Sequence, residues 1–236
     1  MSSPQNNIAT PEFFTALSYL FSQKSTISEL YLKPINTIVL LDTNGNTVSS
    51  TNDLTVQYSN GVVTVVADFV AQSTDTITTA LVGNTFKGVF TSYFSFQNLS
   101  IQVTQGNLYS VTLTIVLNNL SVSVSVFNTP TVTANKLIDV IGNILSGNPL
   151  YTGKSGQFFD AIYIVNTTSN VSQSYRVPIT IATVSPTLMI GGILPSTVYG
   201  NQIVLRDSNQ NDLLIISGKN VHKFKQGRQI IIEFTF

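Results

Sequence analysis

The chain contains no cysteine, no tryptophan and a single histidine, and it is poor in charges of either sign. Without cysteine there is no disulfide framework and no thiolate metal site. Eleven Lys and Arg balance eleven Asp and Glu, so the electrostatic footprint of a nucleic-acid binder is missing and nucleic acid is not an expected partner. Charged residues make up 9% of the chain, against roughly 25% in ordinary globular proteins. The longest uninterrupted apolar run, Leu188 to Leu194, holds two glycines and is too short to span a membrane as a helix. Met1 to Thr10 lacks the basic-then-apolar layout of a secretory signal, which reads as a soluble chain unless a leader has been removed.

Ser, Thr, Asn and Gln stand where charges usually do, beside abundant Val, Ile, Tyr and Phe. At 43% hydrophobic the chain has the material for a core, and its β-branched and aromatic residues suit the pleated, half-buried surface of a strand. Low charge also suits an extracellular, acidic setting, because a neutral surface has few carboxylates to protonate below about pH 4.

The strongest pattern is internal. Phe13, Phe14, Leu17, Leu20 and Phe21 form one apolar helical stripe, and Leu137, Ile138, Ile141, Ile144 and Leu145 repeat it 124 residues later. The same offset carries Ile38–Thr43 onto Ile162–Thr167. At an offset of 121, Val103-Thr104-Gln105-Gly106 corresponds to Phe224-Lys225-Gln226-Gly227, and Val111, Leu113 and Ile115 to Ile232, Phe234 and Phe236.

The expected organisation is therefore a flexible N-terminal arm over 1–9, a first β-sandwich domain over 10–127 and a second over 128–236. Thr10-Pro11-Glu12 supplies a helix start, and Ser146-Gly147-Asn148-Pro149 a helix stop. Asn44-Gly45 and Asn60-Gly61 read as two-residue hairpin turns. Strands are expected at 35–41, 47–50, 54–58, 62–70, 76–82, 88–96, 99–103 and 108–117, the even spacing of a sandwich or barrel. In the second half they fall near 161–166, 174–182, 187–193, 201–206, 212–217, 221–224 and 229–236. Pro178 inside a strand candidate marks an edge or bulge. Leu120 to Phe127 alternates apolar residues with Ser and reads as an inter-domain strand pairing with an edge of the first sheet.

Few residues carry chemistry. Lys219, His222, Lys223, Lys225 and Arg228 form the one basic cluster, read either as a solvated, lysine-protected edge or as an anionic contact patch. On a strand, His222 and Phe224 would face one side and Lys223 and Lys225 the other. Asp207-Ser208-Asn209-Gln210-Asn211-Asp212 spaces oxygen side chains like a calcium loop but lacks its glycine and closing glutamate, so it reads as an Asx-rich hairpin. Asn98, Asn119, Asn166 and Asn170 open N-glycosylation sequons. Tyr151, Phe158 and Tyr199 are aromatics suited to loop ends. No phosphate loop, metal triad or nucleophile elbow appears, and no catalytic residue, metal ligand or cofactor is expected. The chain reads as a non-enzyme.

A short helix followed by some eight short strands, written twice with little charge and no cysteine, resembles the structural proteins of archaeal (Sulfolobus-type) icosahedral viruses. The likeness is to their vertex or turret proteins, built from tandem jelly rolls. It implies all-β architecture with two jelly-roll-like sandwiches, each preceded by a short α-helix. It also implies a virion location after assembly in the host cytoplasm, a homo-oligomer with a pentamer favoured, and other capsid proteins as partners. A receptor- or glycan-binding fibre or adhesin module is the alternative reading of the same polar β architecture.

Overall fold

A computed structural model describes residues 7–21, 32–148, 159–168, 173–184, 187–207 and 209–236. With 59% strand and 12% helix it is an all-β sandwich fold. The described residues group into two compact units: 7–13, 32–119 and 141–148 form the first, and the remainder the second.

The first unit holds β1 (Asn7–Ala9), the start of α1 (Pro11–Phe21), β2 (Thr37–Leu41), β3 (Thr47–Thr51), β4 (Leu54–Ser59), β5 (Val62–Val70), β6 (Asp75–Ile77), β7 (Thr79–Phe86), β8 (Val89–Phe96), β9 (Ile101–Val103) and β10 (Leu108–Val116). One sheet runs β1-β8-β7-β2-β3, a second β10-β5-β4, and β6 pairs with β9. Alternation sets the core: Val63, Val65, Ala67 and Phe69 of β5 are buried and their neighbours in sequence are not. Ile38, Leu40, Phe94 and Phe96 of the first sheet are also fully buried. Ser49 and Thr51 of β3 donate their hydroxyls to the carbonyls of Val70 and Asp68 on β5, which ties the sheets at one side.

Thr10 caps α1 as its sequence position predicts. Its Oγ1 accepts the Phe13 N–H at 3.2 Å and donates to the Ser92 carbonyl. Phe13 then packs its ring 4.8 Å from that of Phe94. The arm is corrected: within the expected flexible stretch 1–9, Asn7–Ala9 is an edge strand, paired along one side with Phe96–Phe94 of β8. Residues 1–6 lie outside the described chain.

The second unit holds β11 (Ser121–Val124), β12 (Thr131–Thr133), the start of α2 (Asn135–Leu145), β13 (Phe159–Asn166), β14 (Gln173–Val177), β15 (Ile181–Val184), β16 (Leu188–Ile193), β17 (Val198–Asp207), β18 (Asp212–Phe224) and β19 (Gln229–Thr235). Its sheets run β12-β18-β17-β13-β14 and β11-β19-β16-β15. Strand for strand, the first order matches β1-β8-β7-β2-β3, and the second matches β10-β5-β4 with β11 added. Register repeats as well: Ile8 faces Ser95 and Val132 faces Ile216, offsets of 124 and 121 residues.

A jelly roll sends most consecutive strands to opposite sheets. Here β2–β3, β4–β5 and β7–β8 are hairpins inside one sheet, as are β13–β14, β15–β16 and β17–β18. The two units share this hairpin-rich strand order, which is not that of a jelly roll. The alternating strand is also corrected: Ser121–Val124 pairs with Thr235–Ile232 of β19, in the second unit and not on the first sheet. Val124 and Leu120 are buried there. The expected single strand over 174–182 is two, β14 in one sheet and β15 in the other, because Pro178 has no N–H to continue a ladder and the chain changes sheets there.

The C-terminal half of α2 belongs with the first unit. Ile35 donates its N–H to the Leu145 carbonyl at 2.9 Å, and a Cβ on Gly142 would run into the ring of Tyr58 on β4. Gly147 (φ +77°) ends the helix: Asn148 N–H reaches back to the Asn143 carbonyl and Gly147 N–H to that of Ile144.

Asn60 and Gly61, both at positive φ, make the expected two-residue turn. Asn44-Gly45 does not. The loop is Asp42–Asn46, closed by Asp42 N–H to the Asn46 carbonyl, and only Gly45 has positive φ. Asp42 Oδ1 accepts the N–H groups of Asn44 and Asn46, and Oδ2 the Asn46 side-chain amide. That Asn46 amide, with the two backbone donors, holds the Asp42 carboxyl below its ordinary range against the opposing pull of desolvation.

Candidate functional site

Near the end of each unit the chain reverses through the same four-residue turn. In the first unit, Asn107 N–H donates to the Thr104 carbonyl, Gly106 N–H to that of Ala71, and Ala71 N–H to that of Asn107. In the second, Arg228, Gly227 and Leu194 make the same three bonds, to Lys225, Leu194 and Arg228 respectively. Gln105 N–H rests on Thr74 Oγ1 as Gln226 N–H rests on Thr197 Oγ1. Gly106 and Gly227 both take left-handed φ, +83° and +75°. The backbone is one design; the side chains differ. Thr104 and Asn107 are replaced by Lys225 and Arg228, so the turn forms without either cation.

Around the charged turn lies a groove of about 480 Å³ in the second unit. Ser125, Val126, Leu194, His222, Lys223, Phe224, Lys225, Arg228, Gln229 and Ile230 line it. Phe224, Leu194 and Ile230 are at most 3% exposed and make an apolar floor. Lys223, Lys225 and Arg228 are the cations among the lining residues, and all three are exposed. No carboxylate is among the lining residues, and none of the three cations is ion-paired among the described residues. Four of the five residues of the sequence-predicted basic patch therefore meet in one concavity; Lys219 is exposed but not part of its lining.

The β18 part of the lining is positioned by an excursion in that strand. Gly200 pairs with His222 and Gln202 with Ser217, so β18 spends more residues than β17 between the two pairs. Phe127 seats its ring where a Cβ on Gly218 would be. His222 stands edge-on to Phe224, ring centroids 5.2 Å apart, and to Phe127 at 6.4 Å. Lys223, on the opposite side of the strand, reaches over the Tyr199 ring at 5.7 Å. Tyr199 is 50% exposed.

Ser125, Val126, Leu194, Gln229 and Ile230 are the members that sequence reasoning missed. The usable signal was the 121-residue offset itself, which aligns an uncharged turn with a charged one. Ser125 and Val126 directly follow β11, the strand that has no equivalent in the first unit's sheet order among the described residues.

The remaining candidates stand apart. Asp207 Oδ1 accepts the N–H groups of Asn209 and Asn211, and Oδ2 accepts the Asn211 amide, so both oxygens are engaged within a hairpin loop. Among the described residues no three of His, Asp and Glu gather in a metal-binding arrangement. Asn98 and Asn119 are exposed at turns. Asn166 is half-buried, its Oδ1 accepting from the N–H and hydroxyl of Thr168. Asn170, Tyr151 and Phe158 lie outside the described residues. Among the described residues no helix is long and apolar enough to cross a membrane. No protein-family model, curated protein or solved structure matches the chain.

Proposed function

We propose that the protein is a non-enzymatic structural component of a virion surface, a vertex or turret subunit that assembles with copies of itself into a closed ring. One observation carries this reading. Leu108 and Val70 face each other in register across β10 and β5, and they are 72% and 53% exposed. Two large aliphatic side chains set together in water, on a chain with so few charges, suit an interface core depleted of charge. Closed rings bury such patches against complementary surfaces of the next subunit. The test is the mass in solution by light scattering at pH 3 and pH 7, against a chain mass of 25.6 kDa. A ring is expected at both, with Leu108→Lys dissociating it. A monomer of the unaltered chain at both pH values overturns the reading.

A second reading, a module that binds a receptor or glycan, is supported by the cation-lined groove.

A further inference from the structure

We infer that the groove around Lys223, Lys225 and Arg228 is a binding site for an anionic saccharide, a sugar chain carrying sulfate or carboxylate groups. This deepens the binding-module reading and does not depend on ring assembly. The first unit is the internal control. Its Thr104–Asn107 turn makes the same backbone hydrogen bonds with no charge, so Lys225 and Arg228 serve nothing that the turn needs. Two features set the second unit apart, the added strand β11 and the charged turn: the turn supplies Lys225 and Arg228 to the concavity, and Ser125 and Val126, which directly follow β11, line it as well.

The lining matches the chemistry of such a ligand. Its guanidinium and ammonium groups offer charge-assisted hydrogen bonds, and Arg228 has the planar fork that sulfate and carboxylate oxygens fit. The floor of Leu194, Phe224 and Ile230 suits the C–H faces of sugar rings, with Ser125 and Gln229 beside it for hydroxyls. A volume of about 480 Å³ falls in the range of small-ligand sites. An acidic peptide would satisfy the cations but leave a compact apolar floor with little to do.

The experiment is calorimetric titration of the full chain with a sulfated tetrasaccharide, its desulfated counterpart, a poly-glutamate peptide of equal charge and sodium sulfate. The sulfated sugar is expected to bind, weakening as salt is raised, while the desulfated sugar and sulfate alone do not. The double substitution Lys225→Thr and Arg228→Asn installs the side chains of the first unit's turn. It should weaken binding at least tenfold with an unchanged melting temperature, and Lys87→Thr, a cation of the first unit, should leave binding as it was. Equal binding of the peptide or of the desulfated sugar overturns the inference. So does an equal loss in the Lys87 variant, or no loss in the double variant. Binding retained by dissociated Leu108→Lys separates this inference from the ring reading.

Discussion

Thr104–Asn107 and Lys225–Arg228 are the same turn with different ambitions. Each is closed by the same backbone bonds and the same glycine in left-handed φ, and each rests its glutamine N–H on a threonine hydroxyl. A lone basic turn could be explained as edge protection, since lysines there discourage strand-to-strand association. Its uncharged twin weakens that explanation, because a matching turn in the same chain does without them. Comparing the two turns thus separates what the turn needs from what one of them carries besides.

The largest effects should come from equivalent core positions. Leu113 on β10 and Phe234 on β19 sit 121 residues apart, and both are fully buried. Leu113→Ala is expected to cost about 2–5 kcal/mol and Phe234→Ala about 3–5 kcal/mol, from lost burial plus the cavity left behind. Chemical denaturation gives the sizes, and hydrogen exchange should place the loosened amides in the sheets of the substituted unit. A cost below about 1 kcal/mol at either position would break the equivalence.

Much of this was legible because it is local. Val62–Val70 was readable to the residue from its alternation between turn signals, and Thr10-Pro11 from cap chemistry. What was not legible depends on partners distant in sequence. Nothing in Asn7–Ala9 announces a strand; it is one because β8 offers an edge. The alternation of Leu120–Phe127 shows which side chains turn inward, but it carries no information on which edge the strand meets, and it met β19. Asn44-Gly45 misled because Asp42, two residues earlier, captures the loop's N–H groups and lengthens the turn. The basic residues were readable as a patch. Their groove was not, since Ser125, Val126 and Leu194 reach it only through sheet pairing.

A smaller effect distinguishes the two Asp-capped loops. Asp42 and Asp207 accept matching sets of hydrogen bonds, so Asp42→Asn and Asp207→Asn should lower the melting temperature at pH 7 by similar amounts. For Asp42 the acid dependence has a definite sign. Its folded carboxyl lies below the ordinary 3.8, so the charged form stabilises the fold above that value. That contribution fades as pH falls through the lower folded value. The difference between Asp42→Asn and the unaltered chain should be full at pH 5 and shrink toward pH 2. Melting curves across that window check it; a gap that widens in acid would overturn it.

The smallest effect lies one residue further into the same loops. Gly45 takes φ +81° at the position where the second loop has Gln210 at φ +65°. A side chain in left-handed backbone costs roughly 1–2 kcal/mol, partly returned by the lower entropy that glutamine loses on folding. Gln210→Gly should therefore stabilise by about 0.5–1 kcal/mol, and Gly45→Gln should destabilise by a similar amount. The shift in melting temperature carries a second reading. A change of 1 kcal/mol moves a transition of the whole chain by about 2–4 °C, and that of a unit of about 100 residues melting by itself by about 4–8 °C. Calibrating the observed shift against the stability change from denaturant titration then tells whether the second sandwich melts as its own cooperative unit.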